Sequence, residues 1–303
     1  MDNNMDMQPA IAAEDIDPRI YELYDRYCHS DMDRREFLSR AAAIAVIGGS
    51  GLAMAQALLP RYAAAQMVSF TDPRIKATYV TYDSPGGNSG KMRGYLVQPA
   101  GTGPFPAVLV VHENRGLNPH IEDVARRAAL EGFVALAPDG LYPLGGYPGN
   151  DDDGKAVQSK LNPGKLRVDL LNSAKFLKSH PLSNGKLGAT GFCYGGGVVN
   201  YLAVEMGADL KAGVPFYGSA PKSSDVPKIK AAMLLNFASD DARINARWPD
   251  YEKALKANGV AYEAYIYDDT KHGFHNNSTL RYNESAAKMA WSRTIAFFRK
   301  HLS

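Results

Sequence analysis

Gly191-Phe192-Cys193-Tyr194-Gly195-Gly196-Gly197 sets one thiol in a frame of glycines. A cysteine attacks as its thiolate, and a following helix N-terminus and a nearby imidazole both favour that form. The pattern is G-x-S-x-G with cysteine in the serine position, the signature of a nucleophile elbow where a strand turns sharply into a helix. Only glycine at the flanks clears the neighbouring chain in so tight a turn. Two further segments carry the remaining chemistry. Asp240 and Asp241 follow one apolar run, and His272 follows the next. The chain order nucleophile, acid, histidine fits acyl transfer. His272 would take the thiol proton, and an aspartate would orient and stabilise the imidazolium. Spacing alone leaves Asp240 and Asp241 both open as the acid. His275 reads as a surface loop histidine.

These residues must be positioned by strands. Residues 107–111 and 133–137 are continuous apolar runs, as expected of strands buried on both faces. Further strands are expected at 78–83, 93–97, 186–190, 212–217, 232–237 and 261–267. Helical spacing marks 120–131, 165–179, 194–206, 251–258 and 285–301. Alternation of apolar strands with helices predicts an α/β fold, with a mostly parallel central sheet and helices on both faces. Ligands of such sheets sit beyond the C-terminal strand ends, which is where Cys193, the aspartates and His272 fall. His112-Glu113-Asn114-Arg115-Gly116 also follows a strand. Glu113 is therefore a carboxylate aimed at the same pocket.

The 303 residues are 45% hydrophobic and 22% charged, enough for a large core and too apolar for wholesale disorder. With 34 Lys and Arg against 32 Asp and Glu, net +2, no nucleic-acid partner is expected. Two cysteines cannot build a disulfide scaffold. No His-Glu-x-x-His occurs and the seven histidines are scattered, so neither a metal nor another cofactor is expected. The triple Asp151-Asp152-Asp153 reads as a solvated turn.

The first 65 residues differ from the rest. Asp33-Arg34-Arg35-Glu36-Phe37-Leu38-Ser39 precedes an uncharged run from Ala41 to Pro60, weakened as a spanning helix by Gly48, Gly49, Ser50 and Gly51. Ala63-Ala64-Ala65 then offers a small-residue cleavage site. This looks like a twin-arginine (Tat) signal, so the Tat machinery is an expected partner and the periplasm the expected location. If uncleaved, the run would be a membrane anchor of about 19 residues. The expected division is an N-terminal extension at 1–65 and a catalytic domain at 66–303. Residues 17–25 show helical spacing after a proline start, without an assigned role.

Together the motifs His112-Glu113-Asn114-Arg115-Gly116, Ala137-Pro138-Asp139, Gly191 to Gly196 and His272-Gly273-Phe274 resemble the dienelactone hydrolase (carboxymethylenebutenolidase) family of α/β-hydrolases. The resemblance covers about residues 78–301. It implies an α/β-hydrolase fold and hydrolysis of a small ester or lactone through a Cys193–His272–Asp241 triad and an acyl-enzyme. Asp241 is preferred because Ile244, three places on, stands where the family has an aliphatic residue. The resemblance also implies an oxyanion hole of the Asn114 and Tyr194 backbone N–H groups, and Glu113 paired with the resting thiol. One departure concerns substrate. The family's two carboxylate-binding arginines are missing: the first region reads Gly140-Leu141-Tyr142-Pro143-Leu144, and the second position is Asn276. Tyr142, Arg115, Arg243 and Asn276 are candidate pocket residues, with Arg281 another possible source of positive charge. Without the clamp, neutral esters should be handled relatively better than by a standard member. The alternatives are a broader carboxylesterase or thioesterase of the same fold, or a non-catalytic membrane-held binding protein.

Overall fold

The computed structural model describes residues 11–30, 32–46 and 50–303. Eight strands form one sheet: β1 (Ile75–Asp83), β2 (Lys91–Pro99), β3 (Phe105–Val111), β4 (Val134–Pro138), β5 (Ser183–Phe192), β6 (Leu210–Phe216), β7 (Ala232–Asp240) and β8 (Tyr262–Lys271). Their spatial order is β1-β2-β4-β3-β5-β6-β7-β8. β2 pairs antiparallel with β1 and β4, and every other neighbour is parallel. Among the described residues four α-helices precede the sheet: α1 (Pro18–His29), α2 (Arg34–Ala42), α3 (Gly51–Ala57) and α4 (Tyr62–Ala65). Within the body follow α5 (Pro119–Leu130), α6 (Asp151–Ser159), α7 (Pro163–Ser179), α8 (Tyr194–Met206), α9 (Ala242–Asn245), α10 (Trp248–Ala257) and α11 (Glu284–Leu302).

Alternation along the buried strands divides the core into two layers. Ala107, Leu109 and Val111 of β3 pack with α7, α8 and α10 on one face. Val108 and Val110 pack with α5 and α11 on the other. Side chains on a strand point to opposite faces in turn, so a run apolar at every position must be covered twice. The expected α/β fold with helices on both faces is therefore present.

The aspartate triple corrects the turn expected there. Asp151, Asp152 and Asp153 form the first turn of α6, where carboxylates face the positive end of the helix dipole. Asp151 accepts from the Tyr62 hydroxyl through both oxygens at 2.8 Å and from Tyr147 at 2.9 Å.

The N-terminal segment builds a small core of its own from Ile20, Leu23, Tyr24, Tyr27, Phe37 and Leu58 with their neighbours. Among its described residues the uncharged run contributes the last two residues of α2 and the seven-residue α3, with Gly48 and Gly49 outside the described residues. Among the described residues no helix is long and apolar enough to cross a membrane.

Candidate active site

Cys193 lies between β5 and α8 with φ 54° and ψ −112°, a backbone conformation that L-residues avoid. Packing holds it there. Its N–H donates to the Phe216 carbonyl at 3.1 Å. A methyl group at Gly191 would stand 2.4 Å from the Gly195 carbonyl oxygen, and one at Gly195 would stand 2.3 Å from that of Val111. The glycine frame is thus what lets the turn close against its neighbouring strands.

Asp241 follows β7, and His272 follows β8. Parallel pairing of these strands brings their C-terminal ends together. His272 Nδ1 donates to Asp241 Oδ2 at 2.5 Å, with both side chains buried. Asp240 instead pairs with Lys271 Nζ at the surface. Nε2 of His272 is buried and has no hydrogen-bond partner. Burial pushes the His272 imidazole down to about 4, against the pull of Asp241. The ring is therefore neutral at pH 7, with a free lone pair on Nε2.

The thiol is protonated at rest. Burial, and then the nearby Glu113 carboxylate, push Cys193 up to about 12. Burial likewise raises the Glu113 carboxyl, whose Oε2 accepts from Asn276 Nδ2 at 3.4 Å. A small cavity of about 20 Å³ joins Cys193 and His272 to Glu113, Arg115, Asn276 and Arg281. Arg115 and Arg281 thus bring positive charge to the site from outside the two family clamp positions.

Tyr142 lies away from this cavity, and the surface position expected for His275 is corrected. The Tyr142 ring lies under the Arg93 guanidinium, 5.5 Å away. His275 is not at the surface. It is 1% exposed and stacks on Phe192, because the turn after β8 folds back beneath α11.

One residue beside the thiol escaped sequence reasoning altogether. His29, the last residue of α1, places Nε2 at 3.6 Å from Cys193 Sγ and 3.2 Å from Arg243 Nη2. Its ring meets that of His272 edge-on, with centroids 4.8 Å apart. The N-terminal segment therefore lies across the site, and polar contacts fix it there. Asn114 Nδ2 donates to the Cys28 carbonyl at 3.0 Å. Lys155 Nζ donates to the Tyr27 and Met32 carbonyls at 2.8 and 3.2 Å. The Tyr27 hydroxyl donates to Asp152. Arg281 sits over the Tyr24 ring at 4.8 Å. A cavity of about 20 Å³ holds no more than a water molecule. A wider cleft of about 430 Å³ opens between α1 and the loops after β7 and β8, reaching Asp25, Asp241, Arg243 and His272.

The sheet order, the elbow and the strand-end site define an α/β-hydrolase. Residues 92–302 match the model of the dienelactone hydrolase family, and the chain belongs to that family. Residues 7–45 separately match a model described as YqhI-like. Over 115 residues the chain is 60% identical to a sequence of Escherichia coli K12 provisionally named as a hydrolase fragment, YghX, covering 38% of this chain and 97% of that one. It is 34% identical to Protein usf of Aquifex pyrophilus, over 71% of this chain and 96% of the relative. The crystal structure of a provisionally assigned dienelactone hydrolase from Klebsiella pneumoniae superposes with TM-score 0.63 at 28% identity, covering 74% of this chain and 99% of the other.

Proposed function

We propose that this hydrolase cleaves small esters or lactones by covalent catalysis on Cys193. The observation that carries the reading is the His272–Asp241 pair at 2.5 Å beside a thiol held on a strained elbow. Neutral His272 accepts the thiol proton at Nε2, and the sulfur attacks the substrate carbonyl carbon. Asp241 holds the proton on Nδ1 and stabilises the imidazolium. Backbone N–H groups of Asn114 and Tyr194 are assigned to the oxyanion. Collapse of the tetrahedral species breaks the acyl C–O bond, and the imidazolium protonates the leaving oxygen. A water, deprotonated by His272, then attacks the thioester, releasing the acid and restoring the thiol. Glu113 keeps the thiol neutral between turnovers.

A small ester or lactone carrying a carboxylate suits the arginines best. Arg115 and Arg281 lie at the cavity, where Tyr27 and Tyr24 of the segment across the site face them and Asp151 of α6 pairs with Arg115. This reading competes with the expectation that losing the family clamp favours neutral substrates, and the relative turnover of neutral and anionic esters decides between them. We also keep the reading of the twin arginines as an export signal acting through Tat into the periplasm. Cleavage after Ala65 would remove α1 to α4 and uncover Cys193, leaving 66–303 as the mature enzyme.

The test compares the full chain with Cys193→Ala on p-nitrophenyl acetate and on a dienelactone, before and after iodoacetamide. Turnover that depends on an unmodified Cys193 is expected. Full turnover by Cys193→Ala sinks the reading.

A further inference from the structure

Two residues of the catalytic centre and one from the segment lying across it make a second constellation, of which hydrolysis uses only Cys193 and His272. Cys193 Sγ and one ring nitrogen from each of His29 and His272 lie within 4.8 Å of one another. We propose that His29, Cys193 and His272 form a binding site for a soft divalent cation of the zinc class. The proposal holds independently of whether Cys193 is the hydrolytic nucleophile.

Distance is the first ground. Zn–S near 2.3 Å and Zn–N near 2.05 Å at a tetrahedral angle put sulfur and nitrogen roughly 3.6 Å apart. The Cys193 Sγ to His29 Nε2 separation is 3.6 Å. That edge of the polyhedron needs no movement, and the His272 nitrogen lies within 4.8 Å of both other ligand atoms. In the ion-free protein the same separation serves a thiol–imidazole hydrogen bond.

Tautomers are the second ground. His29 Nδ1 donates to the Asp25 carbonyl at 2.9 Å and also lies 3.2 Å from Asp25 Oδ1. His272 Nδ1 donates to Asp241. Each imidazole thus carries its proton on Nδ1 and offers the Nε2 lone pair. An oxygen partner on the far nitrogen is the arrangement that orients metal-binding histidines and raises their basicity. His272 Nε2 is buried with no partner, a cost that a cation would remove.

The surrounding charge tolerates an ion. Carboxylates of Asp25, Asp241 and Glu113 border the site, against the guanidiniums of Arg243 and Arg281. Arg243 now donates to the nitrogen the ion would take, but it is an exposed side chain free to turn outward. Three protein ligands leave a fourth position for water. On binding, the thiol releases its proton to solvent and an S–metal bond forms, with no change in oxidation state. The metal-bound sulfur cannot attack a carbonyl. Because His29 belongs to α1, the ion would also tie the N-terminal segment over the site. The cation would act as a latch, present only when that segment is docked.

Cobalt(II) is the probe, titrated into the full chain and read by absorbance. Expected are one equivalent bound, near-ultraviolet thiolate-to-metal bands and intense visible bands of tetrahedral cobalt. Cys193→Ser should abolish the thiolate bands, and Cys28→Ser should leave them. His29→Ala should weaken binding by at least the roughly 10–100-fold that follows loss of even an outer-shell partner. His29→Gln, which keeps bulk at the end of α1, should do the same. Circular dichroism and a thermal melt check that each variant is folded. Zinc should displace cobalt and slow alkylation of Cys193 by iodoacetamide. Unchanged affinity in both folded His29 variants, bands that need Cys28, or no thiolate bands with cobalt in excess would each overturn the proposal.

Discussion

At the scale of single residues the two adjacent aspartates separate cleanly. Asp241 is buried against His272, and Asp240 is exposed against Lys271. An exposed ion pair contributes little, whereas a triad carboxylate sets the imidazole tautomer. Asp241→Asn is therefore expected to lower kcat by about 10²–10⁴, and Asp240→Asn to leave it within about twofold. Equal losses in the two variants would reassign the acid. Arg281 supports a second expectation. If it binds a substrate carboxylate, Arg281→Gln raises KM for an anionic dienelactone at least about tenfold and changes p-nitrophenyl acetate kinetics little, since a charged hydrogen bond contributes ~1.5–3 kcal/mol. Parallel KM series on the two substrates check it, and equal effects on both would remove Arg281 from recognition. The order of thiol, aspartate pair and histidine was legible because each follows a strand whose apolar run is plain in the sequence, and the preference for Asp241 over Asp240 came from the family resemblance. Arg281 was legible only as an arginine of the right charge. Its place beside Cys193 comes from the turn between β8 and α11.

At the scale of elements, the boundaries show what pattern reading can resolve. Expected strand 186–190 falls inside β5 (Ser183–Phe192), whose first four residues alternate in exposure and whose last six are buried. Ladder pairing extends strands past their apolar centres, and hydrogen bonds leave no trace in hydropathy. Helix α8 was delimited fully, because the elbow starts it and Gly207, with positive φ, ends it. The aspartate triple was misread for a different reason. Acidic residues suit a solvated turn and a helix first turn equally. What decided between them was tyrosines more than 80 residues away in sequence, Tyr62 and Tyr27. Those contacts make α6 the anchor of the N-terminal segment. Asp151→Ala removes the acceptor for Tyr62 and Tyr147 and a partner of Arg115. Cys193 is then expected to react with iodoacetamide several-fold faster in the full chain, since the segment covering it opens more often. An unchanged rate would mean that α6 does not hold the segment down.

At the scale of the whole molecule, sequence reading divided the chain at residue 65 but did not foresee that the first part lies across the active site of the second. Periodicity marks α1 as a helix. It says nothing of which surface takes the helix up, so His29 was one of seven scattered histidines until the 242 residues between it and His272 were folded. Buried histidines also shape how the whole fold responds to acid. His120, on α5, is 4% exposed, and burial together with the Arg127 charge pushes its imidazole down to about 3. The neighbouring His275 is lowered as well, chiefly by burial. In the unfolded chain such a group titrates near 6.5. Between about 6.5 and 3 the unfolded state therefore binds a proton that the folded state refuses. Stability rises with pH through that window and is lost as pH falls below about 6.5. For His120 alone, going from neutral pH to pH 5 crosses about 1.5 pH units of the window, a loss of about 2 kcal/mol. His120→Leu keeps the apolar volume and deletes the proton site. Its melting temperature should fall several degrees less than that of the native chain between pH 7 and pH 5. Melts of both proteins at the two pH values decide the matter. An identical fall in the two would place the acid sensitivity elsewhere, with His275 the next residue to replace.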